Sequence, residues 1–268
     1  MRKLALFSVP RSGSSWLGEI INSVPSVIYK FQPNFAYSFP YELTETTTKV
    51  EIETFYKHLL ECDDEFVNGR LTISGKSRSL SFEKNNLQTI FFKETHYLNI
   101  IENLIQNSDT KVIGLVRSPF AVINSWLNIP KEFNPDWSVK DQWLNAELKN
   151  EQKPTHFFGY NQWKRACFLF LDFKLKYPNQ FILINYNDLL TETFQTVSDL
   201  FSFGDLPYTK QTENFLKNST EHEGLDDYSV FKKKKDDYEW RHKLPHFIEH
   251  AIKTDSKFHK LNKIFKWI

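Results

Sequence analysis

Apolar residues in this chain gather in short unbroken runs that stop abruptly on polar or charged residues. Leu4 to Val9 is one such run and ends at Pro10; Thr89 to Phe92 stops on Lys93, and Lys111 to Val116 stops on Arg117. Phe181 to Ile184 is a fourth, closed by Tyr186-Asn187-Asp188-Leu189. Runs of this length without alternation predict strands buried on both faces. Leu71 to Ser74 predicts a further short strand.

The intervening segments carry helical spacing. Helices are expected over Trp16 to Ser23 (ending before Val24-Pro25), Glu51 to Cys62, Tyr97 to Asn107, from Pro119 onward, Lys140 to Lys149 and Thr191 to Phe201. A long helix from Gly159 to Tyr177 sets Trp163, Ala166, Phe170 and Phe173 on one stripe. Beyond Leu206-Pro207 the chain turns polar, and the tail through Trp267 closes on an amphipathic helix.

The strand ends hold the chemistry. Arg11, Ser12, Gly13, Ser14 and Ser15 form a strand-to-helix turn of small residues, hydroxyls and one cation. Such a turn aims backbone N–H groups and a helix dipole at one point, where a phosphate is held. Gly13 permits positive φ, the serines add O–H donors, and Arg11 adds charge and a fork of donors. The bland reading is an ordinary turn with a serine N-cap. No Gly-Lys-Ser/Thr follows, which argues against ATP or GTP with Mg²⁺. The run over Thr89 to Phe92 delivers Lys93, Glu94, Thr95 and His96 at its carboxyl end, where open parallel sheets bind ligands. The alternative there is a solvated strand end. Arg117 closes the next run, with Ser118 as N-cap and Pro119 at the first helical position.

Length and charge narrow the choices. The 268 residues carry 34 basic and 33 acidic side chains, a net charge of +1. Nucleic acid or an anionic membrane is therefore not expected as a general partner. Without linker, repeat or low-complexity tract, one domain over residues 1–268 is expected. Cys62 and Cys167 are too few for a disulfide framework. Met1-Arg2-Lys3 and the following run imitate a signal peptide only until Pro10 and Arg11 interrupt them. No run is long enough to cross a bilayer. The 25 Phe residues suit a core as well as a sugar-stacking platform.

The segment PRSGSSW resembles the 5′-phosphosulfate loop of sulfotransferases that use 3′-phosphoadenosine 5′-phosphosulfate (PAPS). Arg11 to Glu19 match the carbohydrate-type form of that loop almost letter for letter. Arg117 and Ser125 resemble the family's 3′-phosphate motif, in its carbohydrate-type form Arg-x-Pro-x-Ala-Val-x-Asn-Ser. Lys93 and His96 resemble the cytosolic branch's Lys-Thr-His, with one residue more between them. In Val27 to Pro33, Gln32 stands where carbohydrate enzymes have Glu. The aromatic stretch after it suits an acceptor-pocket wall or a packed loop. Tyr186 to Leu189 resembles the family's Tyr-Glu-Asp-Leu, and we read it as a strand end and helix cap. Phe231, Lys232, Lys233, Trp240 and Arg241 resemble the C-terminal segment that closes over the 3′-phosphate. The family's glycines are missing there, and a four-lysine run also suits a solvated face.

The resemblance implies an α/β, P-loop-like three-layer fold with a central parallel sheet flanked by helices, and PAPS across the strand ends. It implies sulfuryl transfer in line to an acceptor hydroxyl, of a carbohydrate or glycolipid or another small molecule, leaving 3′-phosphoadenosine 5′-phosphate (PAP). Arg11 and Lys93 would stabilise the growing charge, and Glu94 or His96 would take the acceptor proton, with no metal required. Ser12 to Ser15, Arg117, Ser125, Lys232, Lys233 and Arg241 would hold the nucleotide, and Trp16 would stack on adenine or anchor the first helix. The missing anchor of Golgi relatives implies a cytoplasmic enzyme. A P-loop small-molecule kinase and a catalytically inert nucleotide-binding module are the competing readings.

Overall fold

Five strands form one sheet in the order β2-β3-β1-β4-β5, every neighbouring pair parallel. They are β1 (Arg2–Ser8), β2 (Val27–Phe31), β3 (Thr89–Glu94), β4 (Lys111–Val116) and β5 (Phe181–Asn185). The structure is a computed structural model that describes residues 1–39, 42–70, 80–221 and 236–268. Its helices are α1 (Ser14–Asn22), α2 (Lys49–Glu61), α3 (Ile101–Asn107), α4 (Pro119–Leu127), α5 (Val139–Gln142), α6 (Glu147–Asn150), α7 (Tyr160–Lys176), α8 (Tyr186–Thr191), α9 (Thr193–Gly204), α10 (Lys210–Glu221), α11 (His246–Thr254) and α12 (Ser256–Phe265).

The two-residue period of the strands splits the core into two layers. Ala5 and Phe7 of β1, Phe92 of β3 and Val112 of β4 pack against α2, α3, α4, α7, α11 and α12. Leu4, Leu6, Phe91 and Ile113 face the other way, onto α1, α9 and α10. Both layers exclude water, which is why the strands read as unbroken apolar runs. From β1 the chain crosses toward β2, and from β4 toward β5, on opposite sides of the sheet. The carboxyl ends of β1 and β4 therefore flank the crevice where strand order reverses.

Two expected helices divide. Lys140 to Lys149 is not one helix but two single turns, α5 and α6. Ala146 between them is left-handed, at φ 51°, and wholly buried, while Trp143 stacks on Tyr160 with ring centroids 5.8 Å apart. Burying Trp143 against α7 outweighs the local helical propensity. The helix expected over Thr191 to Phe201 is α9, and the short helix α8 precedes it. The polar stretch after Pro207 contains α10, whose Phe215 and Leu216 are buried in the α1 layer. The tail is two helices, α11 and α12. Leu71 to Ser74 lies outside the described residues. Among the described residues no helix is long and apolar enough to cross a membrane.

Phe92 is wholly buried, with ring centroids 5.9 Å from Phe7 and 5.6 Å from Phe55. Phe92→Ala is expected to lower stability by about 3–5 kcal/mol. Denaturant unfolding would show it as a shifted midpoint at unchanged slope.

Candidate active site

The β1 loop turns on two left-handed residues, Arg11 at φ 68° and Gly13 at φ 92°. A non-glycine residue in that region is strained, a feature that clusters at ligand sites. Gly13 is also dictated by packing, because a Cβ there would lie 2.4 Å from Cε2 of Tyr186. Gly13 caps α1 with no side-chain hydrogen bond, so the serine N-cap reading fails and the first turn presents main-chain donors. Ser12 is wholly buried and its hydroxyl has no hydrogen-bond partner among the described residues; the same holds for Ser8 at the end of β1. Donors left without partners at a helix N-terminus suit a ligand rich in acceptors.

Arg11 turns its side chain along α4. Its Nε donates to Oγ of Ser125 at 3.2 Å, and Nη1 lies 3.3 Å from Oε1 of Glu132. The pair Arg117 and Ser125 is thus joined through Arg11 rather than directly. Nη1 of Arg117 donates to the main-chain oxygen of Arg11 at 2.9 Å, and its guanidinium lies 4.6 Å from the Tyr186 ring centroid. Nε of Arg117 donates to Oδ2 of Asp237 at 2.8 Å, and Nη2 donates to the other carboxylate oxygen. Burial works to lower the guanidinium pKa, but the charge and hydrogen bonds of Asp237 outweigh it and raise it. Ser118 occupies the N-cap of α4 without capping it, and its buried hydroxyl has no partner among the described residues.

Alternation on β3 sends Lys93 and Glu94 to opposite faces. Lys93 joins the loop: its Nζ lies 3.3 Å from Oγ of Ser14, 3.4 Å from Oγ of Ser15 and 4.4 Å from the Phe31 ring centroid. Glu94 is wholly buried and accepts the main-chain N–H of Asn34 at 2.7 Å, while its Oε2 has no hydrogen-bond partner among the described residues. Burial pushes its carboxyl up to about 8, with Asn34 and Lys93 pulling the other way. His96 stacks on Phe35 at 5.1 Å and meets His156 edge-on at 4.8 Å. Its burial, and then the charges of His156, Lys149 and Lys93, bring it down to about 3. Gln32 donates from Nε2 to Oγ1 of Thr95 at 2.7 Å.

Trp16 is anchored, donating from Nε1 to Oγ of Ser219 on α10 at 3.0 Å, and meets Tyr186 edge-on at 6.0 Å. Arg241 is exposed, its guanidinium 4.1 Å from the Tyr238 ring centroid, and the structure does not bring it to Arg117. Asp237 occupies that place. Lys232 and Lys233 lie outside the described residues. Tyr186 touches both the loop and Arg117, which is more than the strand-end role read from the sequence. Its signal was the Tyr-x-Asp-Leu resemblance; Asp237 and Glu132 had none. Among the described residues no cluster of His, Cys, Asp and Glu could hold a metal ion.

Comparison with known proteins matches residues 2–265 to the family described as Sulfotransferase domain. Human carbohydrate sulfotransferase 3 is 21% identical over 314 residues, spanning 94% of this chain. The chain spans only 65% of that relative's length. Two solved structures share the fold. A mouse sulfotransferase complexed with PAP has TM-score 0.55 at 14% identity, covering 98% of this chain and 88% of that one. The sulfotransferase domain of a Synechococcus olefin synthase has TM-score 0.53 at 15% identity, covering 100% and 95%.

Gly13→Ala is expected to destabilise the fold by about 1–3 kcal/mol, from the positive φ and the clash with Tyr186 together. A double-mutant cycle with Tyr186→Ala checks the cause. Relief of the clash would make the double variant more stable than the sum of the two singles.

Proposed function

The chain belongs to the sulfotransferase domain family, and we propose that residues 1–268 act as one domain that moves a sulfuryl group from PAPS to an acceptor hydroxyl. The observation that carries this is the meeting of two strand-end anion grips. Arg117 at the end of β4 donates to the β1 loop at 2.9 Å, and Arg11 of that loop donates to Ser125 of α4 at 3.2 Å. One nucleotide with a phosphate at each end suits such a pair.

PAPS supplies the sulfuryl group and a phosphate leaving group. The first turn of α1, with Ser12, Gly13, Ser14, Ser15 and Arg11, would hold the 5′ end; Arg117 and Ser125 would hold the 3′ end. Lys93, drawn to the α1 hydroxyls, would stabilise charge growing between sulfur and phosphate. Glu94 would accept the acceptor's proton. One of its oxygens has no partner among the described residues, and it follows the residue that β2 pairs at Phe31–Lys93, so it stands beside Gln32. The carboxylate that carbohydrate enzymes carry at Gln32 is thus replaced from the adjacent strand. His96, neutral above about 3, is a weak base and forms the acceptor wall with Phe35 and Phe158. The carbohydrate-type loop and the carbohydrate sulfotransferase relative favour a sugar or glycolipid hydroxyl as acceptor.

Labelled sulfate transfer from PAPS, screened across sugar and small-alcohol acceptors, tests the activity. Stabilisation by ATP with Mg²⁺ but not by PAP would instead support a kinase. PAP binding without transfer would support an inert nucleotide-binding module.

Lys93→Met is expected to lower kcat/KM by about 10²–10³ while the fold is kept. The pH–rate profile separates the two base candidates. A carboxyl at about 8 accepts a proton only once ionised, so activity should climb to a plateau above that pH. Glu94→Gln should abolish this limb and His96→Gln should leave it. The reverse pattern would assign the base to His96.

A further inference from the structure

We propose that Asp237 is a built-in anion at the 3′-phosphate grip, which an entering phosphate must displace from Arg117; this rests on the nucleotide reading above. A guanidinium meets a phosphate best through the fork of Nε and Nη2, two parallel N–H donors on one edge. In this structure that edge is taken. Nε donates to Oδ2 of Asp237 at 2.8 Å and Nη2 to Oδ1, while Nη1 donates to the main-chain oxygen of Arg11. Arg117 is 8% exposed and Asp237 5%, so the pair is shielded from water. A buried guanidinium without an anion is strongly disfavoured, and Asp237 supplies one.

The ring of Tyr186, 4.6 Å from the guanidinium carbon, covers one face of Arg117 and leaves the edge as its strongest anion site. Asp237 reaches that edge from just before a short helical turn, Glu239–His242. This turn is fixed to α4 by Trp240, whose ring stacks on Phe120 at 4.4 Å. The turn's anchor on α4 is thus separate from the Asp237 carboxylate. A phosphate dianion replaces one charge with two and keeps both hydrogen bonds. A nucleotide with a bare 3′-hydroxyl offers the fork only a neutral oxygen, a weaker acceptor than a carboxylate, and leaves the pair intact. Asp237 thus weakens the binding of 3′-phosphorylated nucleotides without touching adenosine 5′-phosphate, because only the former must open the pair.

Titration calorimetry of the full chain with PAP and with adenosine 5′-phosphate tests this, comparing the wild type with Asp237→Asn. Asparagine keeps one acceptor for Arg117 and removes the competing charge. PAP should bind the variant about tenfold more tightly, the factor lost when only one molecule in ten is open. The affinity for adenosine 5′-phosphate should be unchanged. Equal or weaker PAP binding by the variant would overturn the proposal and make Asp237 a support that orients Arg117. PAP binding to neither protein would overturn the nucleotide reading and this proposal with it. Should the variant fail to fold, a crystal structure of the wild type with PAP decides. Phosphate on Nε and Nη2 with Asp237 withdrawn supports displacement, and an intact pair beside bound phosphate overturns it.

Discussion

The guanidinium of Arg117 is the constraint on which the rest of the site depends. It ties the carboxyl end of β4 to the main chain of the β1 loop and lies on Tyr186, the residue that follows β5. Three strand ends are thereby fixed around one cation. The Tyr186 ring in turn leaves no room for a Cβ at residue 13, so the loop must carry glycine where α1 begins. Trp163 adds a further tie, donating from Nε1 to the main-chain oxygen of Arg117 at 3.0 Å. A charged group held this firmly, out of water, interacts with an anion far more strongly than an exposed arginine does.

Strand geometry then divides the labour between adjacent residues. Lys93 points to the α1 side, where hydroxyls and the helix N-terminus gather, and Glu94 points to the side of the turn over Pro33–Phe35. Lys93 and Glu94 are adjacent in the chain, yet their side chains reach different partners on opposite faces of β3. Glu94 stays buried instead against the N–H of Asn34, and the loss of water holds its carboxyl near 8.

Much of this could be read from the sequence because parallel strands bury both faces. Unbroken apolar runs mark β1, β3, β4 and β5, and the residues that follow β1, β3 and β4 or end them lie at the carboxyl edge of the sheet. Arg11, Lys93, Glu94 and Arg117 are legible in this way as strand-end residues. Elements whose stability comes from packing were harder. The helix α10 is polar on most of its surface and is held by Phe215 and Leu216 and by the hydrogen bond from Trp16 to Ser219, none of which leaves a local pattern. The single turns α5 and α6 depend on Trp143 meeting Tyr160 across a fold, and propensity alone merged them. Asp237 and Glu132 were illegible for a simpler reason: a carboxylate that pairs with a distant arginine has no sequence neighbour to announce it.

Those two carboxylates face two of the three cations gathered at the strand ends. Arg11 lies against Glu132, Arg117 against Asp237, and Lys93 against two hydroxyls and the face of Phe31. Each cation is compensated in its own way, and the whole chain stays near neutral at +1. On the proposed reading, binding a nucleotide would be an exchange of partners more than a neutralisation of open charge. Affinity depends on how much better a phosphate satisfies a rigid guanidinium fork than a carboxylate does. On these grounds the strength of the grip is set as much by the carboxylates facing the cations as by the cations themselves.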